Sequence, residues 1–447
     1  MSGAPKHSWA FRQRRFFNWF VLGLTYATFY MGRYNLNVVK PKLEHDFFQG
    51  SQTRLGIIAL CGMWTYALSE LVNGPFIADR IGGRKAMILG AAGSALFNLL
   101  IGLMFFGGIT TSILVGMSLL YSLNMFFQSF GAMSVVKVNA PWFHVDERGV
   151  FGGVFGIMIS LGYVLAFGFS GFILRHTSIP WYWVFLGPTV AIAVMLVITA
   201  LVVRDTPREA GFQNFSTADA SDGDETPVTF RYIVEHVFMN PVLLTMVAAE
   251  FCTGFVREGL TFFFVEWLGK AHHIAPGTTW FNVATTGITV GAICGGLIAG
   301  FLSDKVFRSR RAPVAFLYYL LQIVSVVVLT EVGSAKLACV MIGVTCAWIF
   351  GVHGMLTGTA SMDFGGRKGA ATAAGMLDGI QYVAGGIAAV GIGYILDRWG
   401  AQAWVWTMIP FSAMGGLLML RIWNAKPHSS TAAQVATAAP LDPGAAA

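Results

Sequence analysis

The chain consists of long apolar runs separated by short polar breaks. A helix needs about 20 mainly apolar residues to cross the hydrocarbon core of a bilayer. Twelve such runs are predicted, at 16–39, 54–78, 86–106, 111–137, 149–174, 181–203, 240–268, 280–302, 313–333, 335–361, 370–394 and 403–422. Between the sixth and seventh, 204–239 carries Asp219, Asp222, Asp224, Glu225 and the pair Thr226-Pro227, so it reads as a polar linker. Residues 1–15 are polar and basic, and the run after them is long enough to remain as a span rather than act as a cleaved signal. Ala, Ser, Thr and Pro fill the end of the chain, where a disordered tail is expected over 423–447. The expected organisation is one six-helix bundle at 16–203, the linker, and a second bundle at 240–422.

Composition sharpens this pattern. Of the 447 residues, 55% are apolar and 11% charged, whereas a soluble domain carries about 25% charged residues. So few charges cannot build a water-soluble surface on a chain of this length, and lipid contact must take its place. The 53 glycines suit close helix packing in a bilayer. Nineteen Lys and Arg fall on the side that would hold both termini and seven on the other, which places termini, linker and tail in the cytoplasm. The net charge of +7 is mostly this bias, and it leaves no case for a nucleic-acid surface. Cys61, Cys252, Cys294, Cys339 and Cys346 lie singly in apolar stretches, without metal-ligand spacing. No nucleophile–base pair or phosphate-cradling loop stands in a suitable context, so neither an enzyme, a cofactor nor a metal is expected. A monomer in the bilayer is expected, with a small anion as its partner.

The two halves repeat. Asp79-Arg80 with Gly83-Arg84-Lys85 after the second run is echoed by Asp304-Lys305 with Arg308, Arg310 and Arg311 after the eighth, 225 positions on. Arg148-Gly149 is echoed by Lys368-Gly369 at 220, and Arg33 by Arg257 at 224. A duplicated six-helix unit explains all three offsets. The fold class expected is an all-α polytopic membrane protein, twelve transmembrane helices in two pseudo-symmetric six-helix bundles.

Only Arg33, Arg257 and Lys137 are basic residues well inside the spans. A charge at a helix centre costs roughly 2.5 to 3.5 kcal/mol even on lenient scales. One reading pairs each Arg with a buried carboxylate. The other makes the two forks an anion clamp, one from each half, because guanidinium is planar, always charged and matched to phosphate or carboxylate. Tyr26 and Tyr30 share a helix face with Arg33 and either add donors to that site or simply pack. Lys137 lies near the cytoplasmic end of its span and can snorkel. Glu70, Glu250, Glu258, Glu266, His353 and Asp378 are further ionisable residues inside spans. Of these, Asp378 with Gln381, His353 and Glu258 are candidates for cavity lining or coupling. Gly74, Asp79, Arg80, Arg84, Arg148 and Asp304 form a candidate cytoplasmic latch, a charge network that holds one conformer closed.

The latch pattern G-x-x-x-x-D-R-x-G-G-R-K resembles the signature of the major facilitator superfamily. Within it, Tyr26, Tyr30, Arg33 and Asn35, the stretch FLSDKVFR at 301–308, Arg204-Asp205-Thr206-Pro207, and Lys368-Gly369 with Ala373-Ala374-Gly375 resemble the organophosphate:phosphate antiporters over 11–422. That group includes bacterial glycerol-3-phosphate and hexose-phosphate transporters. The resemblance implies that Arg33 and Arg257 bind a phosphoryl group. It also implies a secondary active transporter in a bacterial inner membrane that exchanges an organic phosphate for inorganic phosphate by alternating access. Three positions depart from the glycerol-3-phosphate pattern: Ile159 stands for a His, Glu70 for a Lys and Phe262 for an acidic residue. Met376-Leu377-Asp378-Gly379 looks more like the eukaryotic sugar-phosphate exchangers. A sensor of a sugar phosphate acting with a partner kinase, and a proton-coupled symporter of another organic anion or sugar, are the alternatives.

Overall fold

In a bilayer every backbone polar group must be satisfied within its own segment. The computed structural model, which describes residues 7–109, 112–215, 239–307 and 310–425, meets that demand with twelve long helices. In the first half these are α1 (Trp9–Phe47), α2 (Gln52–Val72), α3 (Gly83–Phe106), α4 (Ile113–Gln128, resumed as Phe130–Asn139), α5 (Val145–Arg175) and α6 (Trp183–Val202). In the second they are α7 (Pro241–His272), α8 (Thr279–Phe301), α9 (Arg311–Glu331), α10 (Ala335–His353), α11 (Ser361–Trp399) and α12 (Met408–Arg421). Ser8, Ser51, Asn240, Thr278 and Ser334 start five of them with a side-chain oxygen accepting a first-turn N–H. Eight helices are long and apolar enough to cross a membrane by length and composition: α3, α4, α6 and α8 to α12. α1 and α7, which carry Arg33 and Arg257, are not among them, because their own interiors are polar.

The molecule is apolar outside and partly polar inside. Leu68, Val115, Leu201, Phe301 and Leu417 are largely exposed, whereas Asn35, Asn98, Asn124, Gln128, Gln322 and Gln381 are fully buried. Lipid is the medium that suits such an exterior.

Packing follows the repeat. In the first half α1 packs on α5 and α6, α2 on α4, and α3 on α4 and α6. In the second, α7 packs on α11 and α12, α8 on α10, and α9 on α10 and α12, which is the same set moved on by six helices. Across the halves, α2 with α11 and α5 with α8 are the related pair, and α1 meets α7 on the axis. Even an irregularity is duplicated: a π-helical turn, Asn73–Ala78, follows α2, and another, Leu302–Val306, follows α8.

With twelve helices alternating in direction, the start of α1 and the end of α12 lie at one face, called here the terminal face; the opposite one is the far face. Residues 204–215, the start of the expected linker, fold back at the terminal face, where Phe212 and Phe215 pack with Phe11, Trp142 and Phe143. Most of the linker and the tail lie outside the described residues.

Candidate substrate-binding site

Because α1 and α7 meet on the axis, their inner faces carry Arg33 and Arg257 into the interior, 3% and 6% exposed. The two guanidinium groups share one residue, Tyr382 of α11. Arg33 Nη1 donates to Tyr382 Oη at 2.9 Å, and the Arg257 guanidinium carbon lies 5.1 Å from the centre of the same ring. Arg33 is also fixed by Nε donating to Gln128 Oε1 at 2.9 Å, and by the Tyr66 and Tyr30 rings at 4.6 and 5.2 Å. Its Nη2 is buried with no partner. Arg257 enters the described hydrogen bonds only through its carbonyl, which accepts from Thr261 at 2.9 Å. Among the described residues no carboxylate lies within 4.0 Å of either guanidinium, so the paired-carboxylate reading finds no support. Tyr26 and Tyr30 share the Arg33 face of α1, with their rings edge to face at 5.6 Å.

A buried amide layer aims Gln128. Its Nε2 donates to Ser94 Oγ and Asn124 Oδ1, both at 3.2 Å, which leaves Oε1 for Arg33. Asn124 and Tyr121 in turn donate to the Gly32 and Arg33 carbonyls at 2.9 and 3.0 Å, which holds α1 in place.

The other candidates go to separate places. His353 and Gln381 join Glu250, whose Oε1 lies 2.5 Å from His353 Nδ1 and 2.9 Å from Gln381 Nε2. Asp378 Oδ1 stands 4.0 Å from His353 Nε2. Glu258 is buried near the arginines, and its Oε1 has no partner. Lys137 does not join the arginines: its Nζ donates to the Ala78 carbonyl at 2.8 Å, at the end of the turn after α2.

The halves are tied together at the far face. Lys40 is fully buried, donates to the Phe262 carbonyl at 2.8 Å, and lies 3.7 Å from Glu266. Lys270 pairs with Glu44 at 2.7 Å and Glu266 at 2.5 Å. Asp397 of α11 accepts the Gln52 and Thr53 N–H groups at 2.6 and 3.0 Å, capping α2 of the other half. Arg175 donates to the Gly277 carbonyl at 3.2 Å. Each hydrogen bond described between the halves lies at the level of the arginines or nearer the far face.

At the terminal face the described ties stay within one half or the other; in the second, Arg311 Nη1 donates to Ser303 Oγ at 2.9 Å. Asp205 accepts the Arg84 N–H at 2.7 Å, which caps α3, and the Arg84 guanidinium reaches the Ala200 carbonyl. Gly82 has φ +91°, and a side chain there would also meet Asp205. Asn18 and Arg204 exchange two hydrogen bonds, at 2.8 and 3.2 Å. Burial raises the Asp205 carboxyl above the ordinary aspartate range, and the Arg84 N–H opposes that rise. Arg80 is exposed; the latch positions Gly74, Asp79, Arg148 and Asp304 have helical backbone, but their side chains lie outside the described ones.

Sequence reasoning missed Tyr382, Gln128, Lys40 and Asp397. A buried Gln in α4 and a Tyr one residue past Gln381 carry no charge to mark them. Lys40 and Asp397 read as loop-side charges.

Residues 22–389 match the family model described as Major Facilitator Superfamily. The chain is similar to the glycerol-3-phosphate transporter of Bacillus subtilis, 26% identical over 89% of this chain and 90% of that one. It is also similar to a probable hexose phosphate transport protein of Chlamydia pneumoniae, 25% identical over 93% and 91%. A bacterial homologue of the human lysosomal transporter Spinster, solved inward-facing and unoccupied, superposes with a TM-score of 0.68 at 16% identity, over 93% of this chain and 94% of that one.

Proposed function

The chain belongs to the major facilitator superfamily, and from that premise we propose that it is a secondary active transporter exchanging an organic phosphate, a glycerol phosphate or sugar phosphate, for inorganic phosphate by alternating access. The superfamily is one of multi-pass membrane transporters, not enzymes. The observation that carries the finer reading is the pair Arg33 and Arg257: one from each half, buried, meeting at Tyr382, with no carboxylate within 4.0 Å of either guanidinium among the described residues. Relatives named for glycerol-3-phosphate and hexose phosphate transport support the same substrate class.

At an effective dielectric constant of 20, two like unit charges 4 Å apart repel by about 4 kcal/mol, and by about half that at twice the distance. An empty chamber therefore resists closing around both arginines, and a phosphate dianion removes the resistance. Arg33 Nη2 and the Arg257 donors supply charge-assisted hydrogen bonds to its oxygens, and Tyr382, between them, registers its arrival. Reorientation then needs a bound anion on each trip, which makes the carrier an exchanger. With the termini in the cytoplasm, as the Lys and Arg bias supports, this conformer is closed to the outside and faces inward.

The test is exchange of labelled phosphate in proteoliposomes. Arg33→Lys and Arg257→Lys each keep the charge and lose the fork. A drop of at least about tenfold in exchange is expected for each, since charged hydrogen bonds are worth roughly 1.5 to 3 kcal/mol. Full exchange in either variant overturns the bidentate clamp.

A further inference from the structure

α2 and α11 run antiparallel and stay in register over most of their length. The Gln52 carbonyl lies against Gly393, and a Cβ on Gly56 would overlap the Ala389 carbonyl. Trp64 Nε1 donates to the Val383 carbonyl at 3.2 Å, and the Tyr66 and Tyr382 rings lie 4.3 Å apart. In this register one turn forward on α2 meets one turn back on α11. The turn after Tyr66 and Tyr382 therefore brings Glu70 of one half to Asp378 of the other, and the two carboxyls interact. Asp378 is 4.0 Å from His353 Nε2, whose Nδ1 is 2.5 Å from Glu250. Three carboxyls and one imidazole thus form a chain from α2 through α11 and α10 to α7, about one helical turn nearer the terminal face than the arginines.

Fully ionised, this chain holds three negative charges against at most one positive charge. Arg33 and Tyr66 face Glu70; Tyr26, Tyr30 and Tyr382 face Asp378. Tyr319 of α9 and Cys252 face Glu250. Among the described residues Arg33 is the one permanent cation named against these carboxyls, and the anion site uses it. Glu70 Oε2 and Glu250 Oε2 are both buried without a partner. Facing carboxyls relieve such a deficit by sharing a proton. The side chains of His353 and Asp378 keep 21% and 26% of their surface exposed, whereas that of Glu250 is fully enclosed.

We propose that Glu70, Asp378, His353 and Glu250 form a proton-binding chain, and that a proton must occupy it before the halves close over the terminal face. A hydronium ion in the chamber gives its proton to the carboxylate pair and leaves as water. Two repelling carboxylates become an O–H···O bond between α2 and α11, and the halves are drawn together where they must next meet. Exchange is then coupled to proton movement. The inference rests on the transport reading above, but one arm of its test does not.

Proteoliposomes loaded with inorganic phosphate and a pH-sensitive dye report proton and phosphate movement together. Wild-type protein is expected to move protons with each exchange and to change rate about tenfold per pH unit on one flank, as for a single essential proton. Glu70→Gln is expected to lose at least half the proton signal and to flatten the profile. Phosphate itself titrates, so only the difference between variant and wild type counts. Proton movement unchanged in Glu70→Gln, or absent from wild type, overturns the proposal. In the second arm, infrared difference spectra of the protein in detergent are recorded across pH. A protonated-carboxyl band should shift in Glu70→Gln and again in Glu250→Gln. If the bands of the two variants titrate as in wild type, no shared site exists, whether or not the protein exchanges phosphate.

Discussion

The two faces of the molecule are held in opposite ways. At the far face the ties run between halves: Lys40 and Lys270 with Glu266 and Glu44, Asp397 on the start of α2, and Arg175 on the Gly277 carbonyl. At the terminal face the described ties run within one half: Asp205 on the start of α3, Asn18 on Arg204 and Lys137 on the Ala78 carbonyl in the first, and Arg311 on Ser303 in the second. Bonds of the first kind exist only while the halves touch. Bonds of the second kind survive any rocking of one half against the other. A carrier that alternates needs both: a rigid bundle to move and a breakable seam to open.

Three substitutions test this contrast. Lys40→Met should have the largest effect. It removes a fully buried cation from a balanced group of two bases and two acids, and breaking such a group costs roughly 3 to 5 kcal/mol. The seam should open roughly a hundredfold more often, measured as faster labelling of a cysteine placed at Gln52 by a membrane-impermeant reagent. Labelling as slow as wild type would deny Lys40 any part in closure. Asp397→Ala is smaller. The side chain is exposed, and losing a helix cap costs about 1 kcal/mol, so a several-fold rise in the same labelling is expected. Asp205→Asn is smallest, because Asn still caps and the tie lies within one half. No change in labelling is expected. The Asp205 carboxyl is raised above its ordinary value, so its contribution to stability is full below the unfolded pKa and is lost as pH rises through the raised one. The variant should lack that fall, read as a flatter profile of melting temperature against pH. If Asp205→Asn alters labelling as much as Asp397→Ala does, the two faces are not distinct.

Much of the fold could be read in the sequence. Backbone hydrogen bonding in lipid leaves only long apolar helices as an option here, and the charges of the repeat survive on the surface of each half. Arg33 and Arg257 stood out for the same reason: a charge inside an apolar run is costly enough to demand a cause. Their shared partner did not stand out, because Tyr382 is one aromatic among many until α11 is laid between α1 and α7. Glu250 and His353 are 103 positions apart and become a pair only when α7 and α10 pack.

The sequence by itself determined twelve helices, two matched halves and a matched pair of interior arginines, because each follows from local hydropathy or from residues repeated at one offset. Only the tertiary structure decided which groups face one another across the axis: Tyr382 between the arginines, Glu70 against Asp378, Lys40 against Glu266. Those meetings depend on the register of antiparallel helices, which is set by packing between segments far apart in the chain. A shift of one residue would turn each of these side chains by about 100°.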